Sequence, residues 1–310
     1  MINNIDVTLR DGGYQNNFNF SLQYAITHVK RVADSQIEWI EIGYRNGSFK
    51  PISNIGITGR GENEYIREIH NAVPHANLCM IAHAHNISYQ DIDEMKEAGV
   101  GMLRLCLNAS SAEATYDYVQ YAKQRGFKVC VNATRVSQLS ITSLVELAWK
   151  AEMAGADVFY LADSNGSMTP ESVTSYVSTL NNTTNMQIGF HAHDNLSLAM
   201  SNSIAAYKAG ARFIDSSLDG MGKGSGNLSL ESWISYINNL NSDNRYILEY
   251  IFEQLEGLKS DQSFSSSEHC ILDMILGMKN LSVEYKSHPD LNNIRDIGFA
   301  LRVAGELQKV

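Results

Sequence analysis

Residues 157–194 decide the fold; they read "DVFYLADSNGSMTPESVTSYVSTLNNTTNMQIGFHAHD". An apolar run at 158–162 and a second at 186–190 are each short enough for a strand. The polar connection between them is long enough to hold a helix. Strands that alternate with helical connections form a parallel sheet with crossovers, so this stretch predicts one strand–helix–strand unit.

The same unit recurs along the chain, where every apolar run is rich in Val, Ile, Leu or aromatic residues. The eight runs are "NIDVTL", "IEWIEIGY", "ANLCMIAHA", "MLRLCLN", "KVCVNAT", "DVFYLAD", "MQIGFHAH" and "RFIDSSLDG". Several connections end in Ala-Gly or Arg-Gly just before the next run, which is a common helix stop. Eight units in roughly 230 residues predict an α/β fold of the (β/α)8 TIM barrel type, for which ~250 residues is typical.

An open doubly wound sheet is the alternative, but no Gly-x-Gly-x-x-Gly follows the first run. The strand pattern ends near residue 240, and "YILEYIFEQLEGL", "SEHCILDMILGMKN" and "NIRDIGFALRVAGELQ" read as helices. We therefore expect a barrel over residues 1–240 and a small helical region over 241–310, packed on the barrel.

The composition limits the partners and the compartment. A formal net charge of -10 over 310 residues argues against nucleic acid or an anionic membrane surface as a partner. The N-terminal "MINNIDVTLR" lacks the apolar core of a signal peptide, and no window approaches the apolar length of a membrane span. The four cysteines form no CxxC pair, and three lie in apolar runs. These features predict buried free thiols and a cytoplasmic location.

Polar residues concentrate where the apolar runs stop, which in a TIM barrel is the edge that carries the active site. In chain order they are Arg10 and Asp11; Glu41, Tyr44 and Arg45; His83 and His85; Arg104 and Asn108; Asn132 and Arg135; Asp163, Ser164 and Asn165; His191, His193 and Asp194; and the loop 219–227.

The strongest local signal is "FHAHDN". Histidines at i and i+2 of a strand point to the same face, about 7 Å apart, so His191 and His193 could share one metal ion. Asp11, at the end of the first run, would complete a face of two histidines and one carboxylate. The alternative is a structural pair of histidines that bond to the backbone.

Two other patterns compete for chemical roles. His83 and His85 form a second His-x-His, predicted to contact substrate or to act as acid and base, or else to be buried histidines bonded to backbone. The loop "GMGKGSGN" could cradle a phosphate, although a tight turn that approaches the site explains its glycines equally well.

Four motifs, "TLRDGG", "ADSNGSMTP", "GFHAHDN" and "GMGKGSGN", resemble those of the DRE-TIM metallolyases (the pyruvate carboxyltransferase or HMGL-like barrels) in the same order. That family includes aldolases, acyl-CoA lyases and Claisen-type synthases, and the likeness is greatest to the 4-hydroxy-2-oxovalerate aldolase branch. The resemblance covers roughly residues 4–240. It implies a (β/α)8 barrel with a bound divalent metal. Manganese or magnesium is the ion expected, and cobalt or zinc is the alternative.

Carried over to this chain, the resemblance implies that Asp11, His191 and His193 bind the metal, with Asn227 in or near its shell. It also implies that Arg10 contacts the carbonyl or enolate oxygen of the substrate. A divalent ion and a fixed guanidinium both stabilise negative charge on that oxygen. Because strand alternation would send Arg10 and Asp11 to opposite faces, we expect Gly12-Gly13 to break the strand.

The sequence departs from the family's aldolases, which carry an acid/base histidine shortly after Arg-Asp-Gly, where Tyr14 stands here. The acid/base group is therefore Tyr14, His83, His85, Tyr44 or a water on the metal. The loop after the eighth run also lacks the cysteine of the acyl-CoA lyases.

Further residues receive supporting roles. Lys223, in the loop that lacks the cysteine, suggests an anionic group on the substrate, or is simply solvated. Tyr44 and Arg104 are predicted to contact substrate as well. The residues expected to brace the site without touching substrate are Glu41, Asp163 and Ser164.

These observations favour a metal-dependent aldolase that acts on a 4-hydroxy-2-oxo acid through a pyruvate enolate and an aldehyde. The alternatives are an acyl-CoA lyase or Claisen-type synthase of the same family, and a barrel subunit without catalysis. The partners expected are small molecules and a possible second copy of the chain. An aldehyde dehydrogenase partner is not expected, because the C-terminal region does not match that of the bacterial aldolases which have one.

Overall fold

A computed structural model describes residues 2–109, 112–241, 245–260, 270–291 and 297–309. Its strands are β1 (Asn3–Asp6), β2 (Trp39–Tyr44), β3 (Leu78–His83), β4 (Met102–Leu107), β5 (Lys128–Ala133), β6 (Val158–Asp163), β7 (Gln187–Ala192) and β8 (Phe213–Ser216). Its α-helices are α1 (Leu22–Asp34), α2 (Ile57–Arg60), α3 (Asn63–Ala72), α4 (Tyr89–Glu97), α5 (Glu113–Gln124), α6 (Ile141–Met153), α7 (Pro170–Thr183), α8 (Ala199–Lys208), α9 (Leu230–Asn241), α10 (Leu248–Ser260), α11 (Ile271–Met278) and α12 (Ile297–Leu307).

The eight strands form one closed barrel in chain order. Every neighbouring pair is parallel, and β8 closes the barrel against β1, with Asp215 opposite Ile5. The predicted (β/α)8 TIM barrel is therefore confirmed, and the open sheet is excluded. The physical reason is the alternation itself: each helix covers the outer face of the sheet, and closure leaves no exposed edge.

Alternation along the strands separates two cores. On β7, Ile188 and Phe190 point outward into the apolar layer between barrel and helices, whereas His191 points inward. Inside the barrel, apolar residues fill the lowest layer. They are Ile5, Val7, Cys79, Met102, Cys130, Val158, Tyr160 and Phe213. Polar and charged groups lie above this layer, towards the carboxyl ends of the strands.

The first strand ends earlier than the sequence predicted. β1 stops at Asp6, and the amide groups of Arg10 and Asp11 then donate to the carbonyl oxygen of Val7 at 3.2 and 2.8 Å. The expected break at Gly12-Gly13 is wrong in position, because this turn begins before the glycines, which lie in a short 3₁₀ helix. The turn is what brings Arg10 and Asp11 to the same side.

The C-terminal helices bring residues close to the barrel mouth. α11 and α12 share a small apolar core. Asn280, just after α11, accepts hydrogen bonds from Ser137, Asn165 and Ser167 in the loops that follow β5 and β6. The predicted starts of two of these helices, at 267–269 and 293–296, lie outside the described residues.

Two expectations about composition can be compared with the structure. Cys79, Cys106 and Cys130 are buried free thiols, as the apolar runs predicted, and Cys270 is a partly exposed free thiol. Within the described ranges, no helix combines the length and apolar character that a membrane crossing requires.

Candidate active site

A pocket of about 260 Å³ opens at the carboxyl ends of the strands. Its walls contain most of the residues that the sequence singled out at the strand ends. Those members are Arg10, Asp11, Tyr14, Tyr44, His83, His85, Asn108, Asn132, Arg135, Ser164, His191, His193 and Lys223. The pocket is therefore large enough for a substrate of a few carbon atoms, and it is rich in groups that can bind oxygen.

Three potential metal ligands converge on one side of this pocket. One ligand atom each of Asp11, His191 and His193 lie within 4.8 Å of one another, and all three residues are buried. The Nε2 atoms of the two histidines are 3.3 Å apart, and Asp11 Oδ2 lies 3.8 Å from the first and 3.9 Å from the second. A single ion could contact all three atoms, since ligand distances of about 2.0–2.2 Å are usual for small divalent cations.

Hydrogen bonds at the far side of each ring fix which nitrogen is free. His193 Nδ1 lies 3.2 Å from the carbonyl oxygen of Lys223, which can only accept, so this nitrogen carries the proton. His191 Nδ1 lies 3.0 Å from an oxygen of Asp215. Burial would raise the pKa of the Asp215 carboxyl, but Arg104 and His191 hold it below its usual value. Asp215 is therefore an acceptor, and His191 Nδ1 carries the proton. In neutral rings both Nε2 atoms then present lone pairs to each other. Two such lone pairs repel each other unless a cation lies between them, so this contact favours a bound cation.

Asn227 adds a fourth group to the cluster. Its Nδ2 donates to Asp11 Oδ2 at 2.8 Å and to the carbonyl oxygen of Met221 at 2.9 Å. Its Oδ1 is buried with no hydrogen-bond partner among the described residues. Gly222 allows this close packing, because a Cβ atom there would lie 2.4 Å from Asn227 Nδ2. An unpaired amide oxygen beside three converging ligands fits a divalent cation.

A layer of buried charges supports the two sides of the site. Arg104 contacts Asp215 at 2.7 Å and Glu41 at 3.3 Å; Glu41 in turn accepts from Arg10 Nε, and Asp215 from His191. With Asp11 included, three carboxylates face two guanidinium groups. One negative charge is left unbalanced in a buried place, which favours a bound cation.

The same layer corrects the role expected for Arg104. Its side chain is fully buried, its guanidinium lies 4.1 Å from the centre of the Tyr160 ring, and it is not among the residues that line the pocket. Its position in the middle of β4 places it below the pocket floor, away from the space where the prediction had it contact substrate. Glu41, expected to brace the site, lies in this layer as well.

Arg10 has one nitrogen left for a ligand. Its Nε donates to Glu41 and its Nη1 to Asp11, and both carboxylates are buried. Its Nη2 is buried and has no partner among the described residues. Burial alone would raise the pKa of the Asp11 carboxyl, but the charge of Arg10 and the hydrogen bond from Asn227 hold it well below its usual value. Arg10 thus offers a fixed N–H group to the pocket while Asp11 stays ionised.

Tyr14 lies among hydroxyl groups at another wall of the pocket. Its hydroxyl oxygen is hydrogen-bonded to Ser48 and lies 3.3 Å from the hydroxyl of Tyr44. Burial raises the pKa of Tyr14 above its usual value, and the bonds to Ser48 and Tyr44 oppose that shift only in part. At neutral pH Tyr14 is therefore a protonated hydroxyl that can donate.

The second histidine pair, His83 and His85, also lines the pocket, but it does not belong to the cluster of potential metal ligands. The His83 ring stacks on Tyr44 with centroids 5.7 Å apart, and His85 Nε2 lies 3.3 Å from the carbonyl oxygen of Phe49. Burial, with the nearby His85 and Arg10, lowers the pKa of His83 to about 3. His83 is thus neutral at physiological pH and a weak base.

The remaining expected residues lie around the rim. Asp163 is buried and accepts from the amide groups of Ser167 and Met168, and burial raises its pKa to about 6. Ser164 Oγ accepts from the amide of Arg135 at 2.9 Å. Both are thus placed to hold loops in position. The side chain of Lys223 lies over the Tyr14 ring, with Nζ 5.5 Å from its centre.

Sequence reasoning missed three residues that matter here. Asp215 was detectable, since a charged residue inside the apolar run "RFIDS" needs a buried partner. Ser48 and Glu284 gave no signal, because one lies in an irregular loop after β2 and the other in the C-terminal region. Both reach the site only through the tertiary fold, Ser48 through Tyr14 and Glu284 at the pocket mouth.

Comparison with known proteins gives a consistent result. The sequence model of the HMGL-like family matches residues 1–256. The 4-hydroxy-2-oxovalerate aldolase of Geobacillus genomosp. 3 is 29% identical over 252 residues, which are 81% of this chain and 75% of that protein. The oxaloacetate decarboxylase of Mycobacterium tuberculosis is 27% identical over 288 residues, or 91% of this chain and 84% of that protein.

A solved structure agrees with these sequence matches. The N-terminal domain of a suspected aldolase from Bacteroides vulgatus superposes with a TM-score of 0.77 at 26% sequence identity. The match covers 90% of this chain and 93% of that domain, so it includes both the barrel and helices beyond it.

Proposed function

The chain belongs to the HMGL-like family of lyases, and from that we propose that it is a divalent-metal-dependent aldolase acting on a 4-hydroxy-2-oxo acid. It is an enzyme that makes or breaks carbon–carbon bonds, and the proposal concerns its substrate and its metal. In the direction of cleavage the products are the enolate of pyruvate and an aldehyde. In the other direction the enolate carbon attacks the aldehyde carbonyl.

The observation that carries this proposal is the convergence of two imidazole lone pairs, the Asp11 carboxylate and an unpaired Arg10 N–H on one small pocket. Asp11, His191 and His193 would hold the metal, with Asn227 Oδ1 beside them. Manganese or magnesium suits this mixture of oxygen and imidazole ligands, and cobalt or zinc is the alternative. When bound, the metal supplies a Lewis acid for the oxygen at C2 of the substrate.

Arg10 stabilises the same oxygen from a second direction. Its free Nη2 donates to the oxygen as it gains negative charge, while Glu41 and Asp11 hold the other two nitrogens in place. A guanidinium held in this way needs no reorganisation as the charge develops, and one such donor is worth ~2.7–4 kcal/mol in other enzymes.

Tyr14 handles the proton at the 4-hydroxyl group. During cleavage the 4-hydroxyl proton passes to the Tyr14 oxygen while the proton of Tyr14 passes to Ser48, which releases its own proton towards solvent, as the C3–C4 bond breaks and the aldehyde carbonyl forms. Condensation reverses these transfers, so Tyr14 donates its proton to the aldehyde oxygen as the bond forms. Its hydrogen bonds to Ser48 and Tyr44 give the proton a path away from the reacting atoms. His83, with its low pKa, can accept a hydrogen bond there but is a poor base.

Two other reactions also pass through an enolate, that of pyruvate in one and that of an acyl-CoA in the other, and are the alternatives to be tested. The match to an oxaloacetate decarboxylase over 91% of this chain favours loss of carbon dioxide from a 2-oxo dicarboxylate as the second candidate. The acyl-CoA lyase or synthase reaction is less supported, because no cysteine stands in "GMGKGSGN". A barrel without catalysis is set aside, since the chain is a lyase of this family.

Hydrogen exchange tests the proposal before the aldehyde is known. Purified protein loaded with Mn²⁺ should exchange the methyl protons of pyruvate with solvent deuterium, and removal of the metal with a chelator should stop the exchange. NMR measures the loss of the methyl signal, and carbon dioxide release from oxaloacetate is followed in parallel. No exchange with any of the four metals would contradict the proposal, and decarboxylation without aldol cleavage would favour the second candidate.

Replacement of Tyr14 by phenylalanine should separate cleavage from enolate formation. We expect aldol cleavage to fall by about 10²–10⁴-fold, the usual contribution of a positioned acid or base. Exchange into pyruvate should fall much less, because the metal ligands and Arg10 are unchanged. The ratio of cleavage to exchange in the two enzymes is the measurement.

The matched control is Tyr118→Phe. The Tyr118 hydroxyl donates to the carbonyl oxygen of Ile87 at 2.7 Å, on the outside of the barrel and away from the residues that line the pocket. This variant should leave the ratio at its original value. Equal losses of both reactions in Tyr14→Phe would mean that Tyr14 orients the substrate and moves no proton.

A further inference from the structure

Three cations surround one carboxylate at the mouth of the pocket. Glu284, from the C-terminal region, turns Oε2 towards Lys50 Nζ at 2.5 Å. Its Oε1 lies 3.2 Å from Lys223 Nζ and 4.0 Å from Arg135 Nη2. Lys223, Arg135 and Glu284 line the pocket, whereas Lys50 does not. Glu284 therefore pairs outward with one cation and inward with two.

The pocket mouth carries more positive than negative charge, in contrast to the chain as a whole. Three positive groups face a single carboxylate, although the whole chain carries a formal net charge of -10. Partial burial opposes ionisation of Glu284, but the hydrogen bonds from Lys50 and Lys223 keep its pKa below the usual value. The mouth thus keeps a surplus of positive charge with Glu284 ionised.

Arg135 is held at the mouth by a backbone conformation that is uncommon for its residue type. Its φ of 56° lies in the left-handed region, where residues other than glycine are rare. The amide group is fixed by the hydrogen bond to Ser164 Oγ at 2.9 Å. Such conformations persist where the surroundings enforce them, often at ligand sites.

We propose that Arg135 and Lys223 bind an anionic group on the aldehyde half of the substrate, and that Glu284 occupies this position in the empty enzyme. The inference rests on the proposed aldolase function and names the class of substrate. The oxo-acid half of the substrate lies at Arg10 and the metal ligands. The two cations line the same small pocket, and Lys223 Nζ lies 5.5 Å from the centre of the ring of Tyr14, the residue assigned to the 4-hydroxyl group. They are therefore placed to meet the part of the substrate that becomes the aldehyde.

Glu284 acts as an internal competitor in this arrangement. When an anionic group enters, Glu284 moves towards Lys50, which already holds its Oε2 and is exposed to solvent. Lys223 and Arg135 then exchange the Glu284 carboxylate for the anionic group of the substrate. A neutral aldehyde cannot displace Glu284, so the pocket discriminates by charge at its mouth.

Aldol condensation with pyruvate tests this with aldehydes that differ in charge. The pairs are glyoxylate against acetaldehyde for a carboxylate, and glycolaldehyde phosphate against glycolaldehyde for a phosphate ester. We expect kcat/KM to favour the anionic member of one pair by tenfold or more, as charge-assisted hydrogen bonds do. The pair with the larger ratio identifies the anion.

Two sets of variants should change the anionic-to-neutral ratio of kcat/KM in opposite directions. Arg135→Gln combined with Lys223→Gln should lower the anionic-to-neutral ratio by about tenfold. Glu284→Gln should raise that ratio, because it removes the competing charge. Arg125→Gln, an exposed arginine paired with Asp93 away from the pocket, is the matched control and should leave the ratio unchanged.

Three outcomes would overturn the inference. They are equal rates for both members of each pair, a ratio that does not change in the double variant, and a fall of the ratio in Glu284→Gln. Each can occur while pyruvate still exchanges its methyl protons, and the aldolase proposal then stands alone. Absence of that exchange would overturn the aldolase proposal and this inference with it.

Discussion

Replacement of His191, His193 or Asp11 by alanine should remove most of the bound divalent metal and nearly all activity. Each change takes away one of three ligand atoms that lie within 4.8 Å of one another. A Lewis acid is worth several kcal/mol to an enolate-forming reaction, which corresponds to a rate loss of about a thousandfold or more. Metal content by mass spectrometry and pyruvate exchange are the two measurements.

Two controls make this result specific. Asp215→Asn keeps all three ligands but weakens the orientation of His191, so metal affinity should fall by only about 10–100-fold. His75→Ala removes an exposed histidine that pairs with Asp34 on the outer surface, and it should change nothing. Stoichiometric metal in all three ligand variants would contradict the assignment and move the search to His83 and His85.

Arg10→Lys should give the second large effect, a loss of rate by about 10²–10³-fold with the metal retained. Lysine keeps the positive charge but lacks the planar group that bonds Glu41, Asp11 and the substrate at once. The enolate oxygen would then lose its second donor. Single-turnover rates with the metal content measured in the same sample test the expectation.

Arg45→Lys is the matched control for Arg10. Arg45 is also buried near the end of β2, but its nitrogens bond Asp91, Glu94, Asn63 and the Gly61 carbonyl. Its loss should lower the melting temperature and leave the turnover of folded enzyme unchanged. If Arg10→Lys behaves in the same way, with normal turnover and a lower melting temperature, then Arg10 is a structural residue.

The fold was readable from sequence because its signal is local and repeated. Each apolar run is short and is followed by a helical connection, and in "MQIGFHAH" a period of two sends Ile188 and Phe190 outward and His191 inward. Eight repeats of strand and helix leave few alternatives to a closed parallel barrel. The end of β1 was misplaced, since nothing in "DVTLRDGG" marks the turn that closes on the Val7 carbonyl.

The sequence alone determined the barrel and which polar residues stand at its strand ends, because both follow from spacing along the chain. Tertiary structure decided what those residues touch. It placed Arg104 below the pocket, because that position on β4 faces the barrel interior between Glu41 and Asp215. It also brought Glu284, from beyond the barrel repeats, to Lys223 at the pocket mouth. Contacts between residues so far apart in sequence depend on how the whole chain packs, and no local pattern encodes them.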